Sequence, residues 1–95
     1  MSAGSKLARA LVAMAQSGGC TIRIASASER PWASATFVGA RHALIVEAAD
    51  SPALHTWLGT LAEAEFGLPG HLVADVSVQH GAGRARVSAL TLVAA

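Results

Sequence analysis

Apolar side chains recur along the chain with two distinct periods, and the change of period marks the elements. Leu7, Leu11 and Met14 fall at i, i+4 and i+7, one stripe of an α-helix. The spacing predicts an amphipathic helix over residues 5–16, with Ser5 as N-cap and Gly18-Gly19 as terminator. From Cys20 the pattern alternates: Cys20, Ile22 and Ile24 take one side, Thr21, Arg23 and Ala25 the other. That is the period-two mark of a half-buried strand over 20–26. The polar run 26–31 reads as a loop. Residues 32–38 and 43–48 then read as a hairpin around Gly39-Ala40-Arg41-His42, with Phe37 opposite Leu44 and Ala35 opposite Val46.

Ser51-Pro52 is an N-cap and first-turn pair. Leu54, Trp57, Leu58 and Leu61 follow at helical spacing, so a helix is predicted over 52–66, closed by Gly67 and Pro69. Residues 72–80 alternate again, with Leu72, Ala74, Val76 and Val78 inward and His71, Val73, Asp75, Ser77 and Gln79 outward. A two-residue turn at Gly81-Ala82 would pair Val76 with Val87 and Val78 with Ala85, leaving Gln79 opposite Arg84 and Ser77 opposite Arg86. After Ala89 the parity changes, Leu90 and Leu92 standing where Thr91 and Val93 are expected. The shift predicts a bulge, or a strand end covered on both faces.

These elements make an α+β fold, a two-layer sandwich of order α-β-β-β-α-β-β. Its five-stranded, mainly antiparallel sheet carries both helices on one face. Helix 52–66 is then a right-handed crossover that makes strands 43–48 and 72–80 parallel.

Composition adds a surface problem to that picture. The 95 residues form a single domain, 1–95. Apolar residues are 53%, but 22 of them are Ala, which leaves 28 larger side chains for a core. Charged residues are 14%, against roughly 25% in an average soluble domain. Part of the surface must be covered by small side chains or by another chain, so a homodimer or a protein partner is expected. Trp32, Val38 and Ile45, on the mixed face of the hairpin, would be covered by the first helix or by a second subunit.

Charge and cysteine use narrow the function classes. The net charge is +1, and the six Arg are scattered without a run, whereas nucleic-acid binding wants a clustered cationic footprint. The single Cys20 forms no internal disulfide, and the expected location is cytoplasmic. Lys6 and Arg9 precede an apolar stretch at 10–15 that is too short for a secretory h-region. No apolar run approaches the roughly 20 residues of a membrane span. Richness in Ala, Arg, Gly and Val with one Lys suggests a GC-rich bacterial genome.

Counting chain reversals gathers loops 18–20, 39–42 and 65–71 at one end of the sheet. That end would bring together Cys20, Arg41, His42, Glu65 and His71, the one candidate ligand-binding constellation. Two imidazoles with a thiolate or carboxylate would suit zinc, and a His beside a Cys can activate a nucleophile. None of the four His stands in a His-x-x-His or His-Glu-x-x-His context, so no metal, cofactor or catalytic residue is assigned. Gly81-x-Gly83 precedes a strand, where a phosphate loop needs a helix N-terminus. The outward face of Asp75, Ser77, Gln79, Arg84 and Arg86 offers polar contacts to an anion or a partner, and open strand edges offer pairing. The expectation is a non-catalytic binding or assembly module acting as a homodimer. The alternative is a small metal-dependent or ligand-activating enzyme built on the His42 and His71 end.

Overall fold

The first helix of the computed structural model, which describes residues 2–94, is capped one turn earlier than its apolar stripe implies. α1 spans Ala3–Ser17. Ser2 is extended and its hydroxyl accepts from the Ser5 amide at 3.2 Å, the role expected of Ser5 itself. The far end closes as a Schellman motif. Gly19 takes φ 82, its amide donates to the Gln16 carbonyl, and the Cys20 amide donates to the Ala15 carbonyl at 2.9 Å. These bonds satisfy the last helical carbonyls, and the buried Cys20 and Ala15 supply the apolar contact that accompanies the motif.

β1 (Arg23–Ala33) and β2 (Val38–Glu47) form one long hairpin. Its turn is residues 34–37, where the Ser34 hydroxyl accepts from the Phe37 amide at 3.1 Å and the Ser34 amide donates to the Phe37 carbonyl at 2.8 Å. The expected loop at 26–31 is therefore strand, joining the expected strand at 20–26 to residues 32–33, while 34–37 of the expected strand at 32–38 form the turn and the expected turn at 39–42 lies in β2. The register sets Ala27 opposite Leu44 and Ile24 opposite Val46, in place of Phe37 and Ala35. β1 lies at the sheet edge, where one side of the ladder is free. A polar run and Pro31, which lacks an amide hydrogen, fit there without interrupting the pairing.

α2 (Pro52–Leu61) starts as predicted, with the Ser51 hydroxyl accepting from the Leu54 amide at 3.1 Å. It stops before residue 66 because the Glu63 and Ala64 amides turn back to the Thr60 and Leu61 carbonyls, i+3 bonds that tighten and end the helix. The freed residues 62–66 form a turn and loop, and the next two residues pair. β3 (Gly67–Leu68) runs against the start of β4 (His71–Gly81) and buries Leu68. The turn to β5 (Arg84–Val93) sits at Ala82-Gly83, with Gly83 at φ 67. That is one residue later than expected, so Val78 faces Val87 and Gln79 faces Arg86.

The architecture is α+β, two helices packed on a five-stranded antiparallel sheet of order β1-β2-β5-β4-β3. Two strands precede α2 and three follow it, so along the chain the elements run α-β-β-α-β-β-β. β2 and β4 are parallel, as expected, and β5 lies between them antiparallel to both. Leu7 and Leu11 of α1 share one core with Trp57 and Leu61 of α2, over Leu44, Val46 and Val87 of the sheet. The shift in apolar parity has its counterpart in β4, bulged between Val73 and Asp75 opposite a regular β5. Thr91 therefore faces the helices, and Leu90 and Leu92 face the other way.

Candidate functional site

On the helix-facing side, His42 is the one buried side chain among the His, Asp, Glu, Lys and Arg of the described residues, 4% exposed in the middle of β2. Its Nε2 lies 2.8 Å from the hydroxyl of Thr91 on β5, which is itself fully buried. The hydroxyl also lies 3.5 Å from the Ala40 carbonyl, an acceptor open to it when it accepts from Nε2–H. Glu29 stands directly opposite His42 on β1, against the first turn of α1. A methyl added to Gly4 would come within 2.6 Å of Glu29 Oε1 and 3.7 Å of His42 Nδ1. The helix N-terminus favours the carboxylate there. Burial pushes the His42 pKa below its usual value, the Glu29 charge opposes that, and the more distant His71 adds to it.

The other residues of the expected constellation do not join this group. Cys20 lies beyond the C-terminal end of α1, while Gly4, beside His42, lies at its N-terminal end, a helix length of roughly 20 Å away. One reversal fewer before β2 carries Cys20 to the opposite end of the sheet. Arg41 precedes His42 on a strand and so projects from the other face. Glu65 is exposed in the turn after α2, where it lines a trough of about 680 Å3 with Phe66, Leu72 and Asp75. His71 faces the helices and sets its Nδ1 3.2 Å from the Pro69 carbonyl, which also accepts from Lys6 Nζ at 2.7 Å. Among the described residues no three His, Cys, Asp or Glu side chains form a metal-binding group. Thr91 and Glu29, the partners His42 does have, are assigned by strand register, for which the local pattern carried no signal.

The sheet face away from the helices is built in rows by the same register. Trp32, Gly39, Leu92 and Leu72 form one row across β1, β2, β5 and β4; Arg30, Arg41, Leu90 and Asp75 form the next. Then come small residues, Ser28, Ala43, Ser88 and Ser77, followed by Ser26, Ile45, Arg86 and Gln79. At the far end Glu47 accepts from Arg23 and from Arg84, the latter at 3.4 Å, closing a three-residue network. No such closure occurs in the middle. Arg30, Arg41, Arg86 and Asp75 are exposed and make no ion pair among the described residues, and Arg30 stands directly opposite Arg41. Like charges in that position destabilise a sheet. They border a trough of about 410 Å3 floored by Ala43 and Ser88. The neighbouring apolar row is equally open, with Leu72 53% exposed and Trp32 and Leu92 half-buried.

Two features of the molecule frame what this face can do. Among the described residues no helix is long and apolar enough to cross a membrane. Comparison of the chain with protein-family models, with curated proteins and with solved structures finds no match.

Proposed function

We propose that this chain is a non-catalytic binding or assembly module that works as a homodimer, associating through the sheet face opposite the helices. The observation that carries the reading is the open row of Trp32, Leu92 and Leu72 beside four charges that make no ion pair among the described residues, on a face that no described element covers. Apolar side chains in a continuous patch rimmed by polar ones are the composition of an interaction surface. The low charge content of the whole chain supports the same reading.

The helix-facing imidazole supports chemistry less well. Thr91 is the hydroxyl within reach of His42, and it is sealed from solvent, so no substrate carbonyl reaches the pair. A hydrogen-bonded buried pair of this kind is explained by the need to satisfy polar groups that folding removes from water. Sedimentation velocity from 1 to 300 µM tests the reading. A species of twice the 9.6 kDa chain mass is expected in the upper part of that range, and a strict monomer throughout would end it.

A further inference from the structure

We infer that two copies pack sheet to sheet about a two-fold axis that runs along the strands between β2 and β5, placing Arg30 of each copy against Asp75 of the other. The inference rests on the homodimer reading above and says which side chains hold it. A two-fold interface is self-complementary, each residue i meeting j while j meets i, so the rows of the open face can be laid on themselves and compared.

Charge selects the position of the axis. Over β2 it would set Arg41 on Arg41, and over β5 it would set Arg86 on Arg86. Running across the strands it would lay each strand on itself and leave Asp75 without a cation, because the outer face of β4 carries none. Midway between β2 and β5, no residue is laid on its own copy. β1 lies over β4 of the second copy and β2 over β5, so Arg30 meets Asp75, Arg41 meets Leu90, and Arg86 meets Ile45. In the apolar row Trp32 lies on Leu72, and Leu92 lies over the backbone of Gly39. The row of Ser28, Ala43, Ser88 and Ser77 lets the sheets approach closely at the centre.

Size and twist are compatible with this arrangement. Aligned sheets cross at about 30° and pack about 10 Å apart. Arg30 sits about 7 Å from the axis, one and a half strand spacings, so the crossing displaces it by an amount its long side chain absorbs. Four strands of this length present about 600 Å2 per copy in projection, near the roughly 800 Å2 of accessible surface per partner in a standard interface. The arrangement also supplies the anion that the opposed Arg30 and Arg41 lack within one chain.

The test is a charge exchange between two separately purified variants, Arg30→Asp and Asp75→Arg, each checked for native far-ultraviolet circular dichroism. Each homodimer then faces like charge with like charge twice, and its dissociation constant is expected to rise at least about tenfold over the parent. Mixed one to one, the two chains restore opposite charges at both positions, and a heterodimer is expected with affinity near the parent's. Parent-like self-association of either variant, or failure of the mixture to associate, overturns this geometry while the parent remains dimeric. A monomeric parent instead removes the homodimer reading itself.

Discussion

Burial disfavours the charged form of the His42 imidazole in the folded chain, because the ring loses hydration and the Glu29 charge offsets only part of that loss. In the unfolded chain the ring returns to its ordinary value of 6.5. Between the lowered folded value and 6.5 the unfolded state binds more protons, so stability rises with pH across that window. The contribution is complete above about 6.5 and is lost as the pH falls through the folded value. Urea unfolding at pH 7.5 and 5.5 should show the parent losing stability on acidification, by up to about 1.4 kcal/mol per pH unit inside the window. His42→Gln, whose amide can still donate to Thr91 and does not titrate in this range, should lose less. Equal losses in the two proteins would assign the dependence to another group. His42 could be named from the sequence, but its surroundings could not. Local spacing put it in a turn, and only the long-range pairing of β1, β2 and β5 brings Glu29 and Thr91 to it.

Elements that depend on local chemistry were readable, and those decided by distant partners were not. The Ser51-Pro52 start of α2 and the glycines after α1 are set within a few residues, and the structure keeps both. β1 and the end of α2 differ because an edge strand relaxes the alternation rule and because Leu68 gains burial by pairing with β4. Gly39 shows the same dependence on a neighbouring strand. A methyl there would stand 1.8 Å from the Thr91 carbonyl oxygen, a backbone atom that cannot move without parting β2 from β5. Gly39→Ala should therefore cost about 2 kcal/mol or more in equilibrium unfolding. Gly4→Ala crowds the rotatable carboxylate of Glu29 and stands at ordinary contact distance, 3.7 Å, from His42 Nδ1, and the gain in helix propensity, about 1 kcal/mol, offsets the crowding. A Gly39→Ala protein as stable as Gly4→Ala would show that the two central strands tolerate a wider separation than their register implies.

For the whole molecule, the open face combines two forces that respond differently to salt. In the proposed dimer the pairs between Arg30 and Asp75 of opposite copies would lie toward the rim, where charges are screened over a Debye length that shrinks from about 10 Å at 0.1 M to about 3 Å at 1 M. The proposed contact of Trp32 with Leu72, and of Leu92 with the Gly39 backbone, would be apolar and would not be screened. Raising sodium chloride from 0.05 to 0.5 M should therefore weaken the dimer only about 3- to 10-fold, as expected for two exposed pairs each worth under about 1 kcal/mol. The effect should level off once the pairs are screened. Trp32→Ala should weaken association at every salt concentration and leave that salt response unchanged, because it removes apolar contact and no charge. Sedimentation equilibrium of both proteins across the salt series separates the forces. A loss of a thousandfold or more would put the association on charge alone, the behaviour of a surface made for polyanions. The apolar row would then need another explanation. A modest, saturating loss in the parent with a parallel curve for Trp32→Ala would instead mean that the uncovered leucines and tryptophan hold the copies together, while the charges set their register.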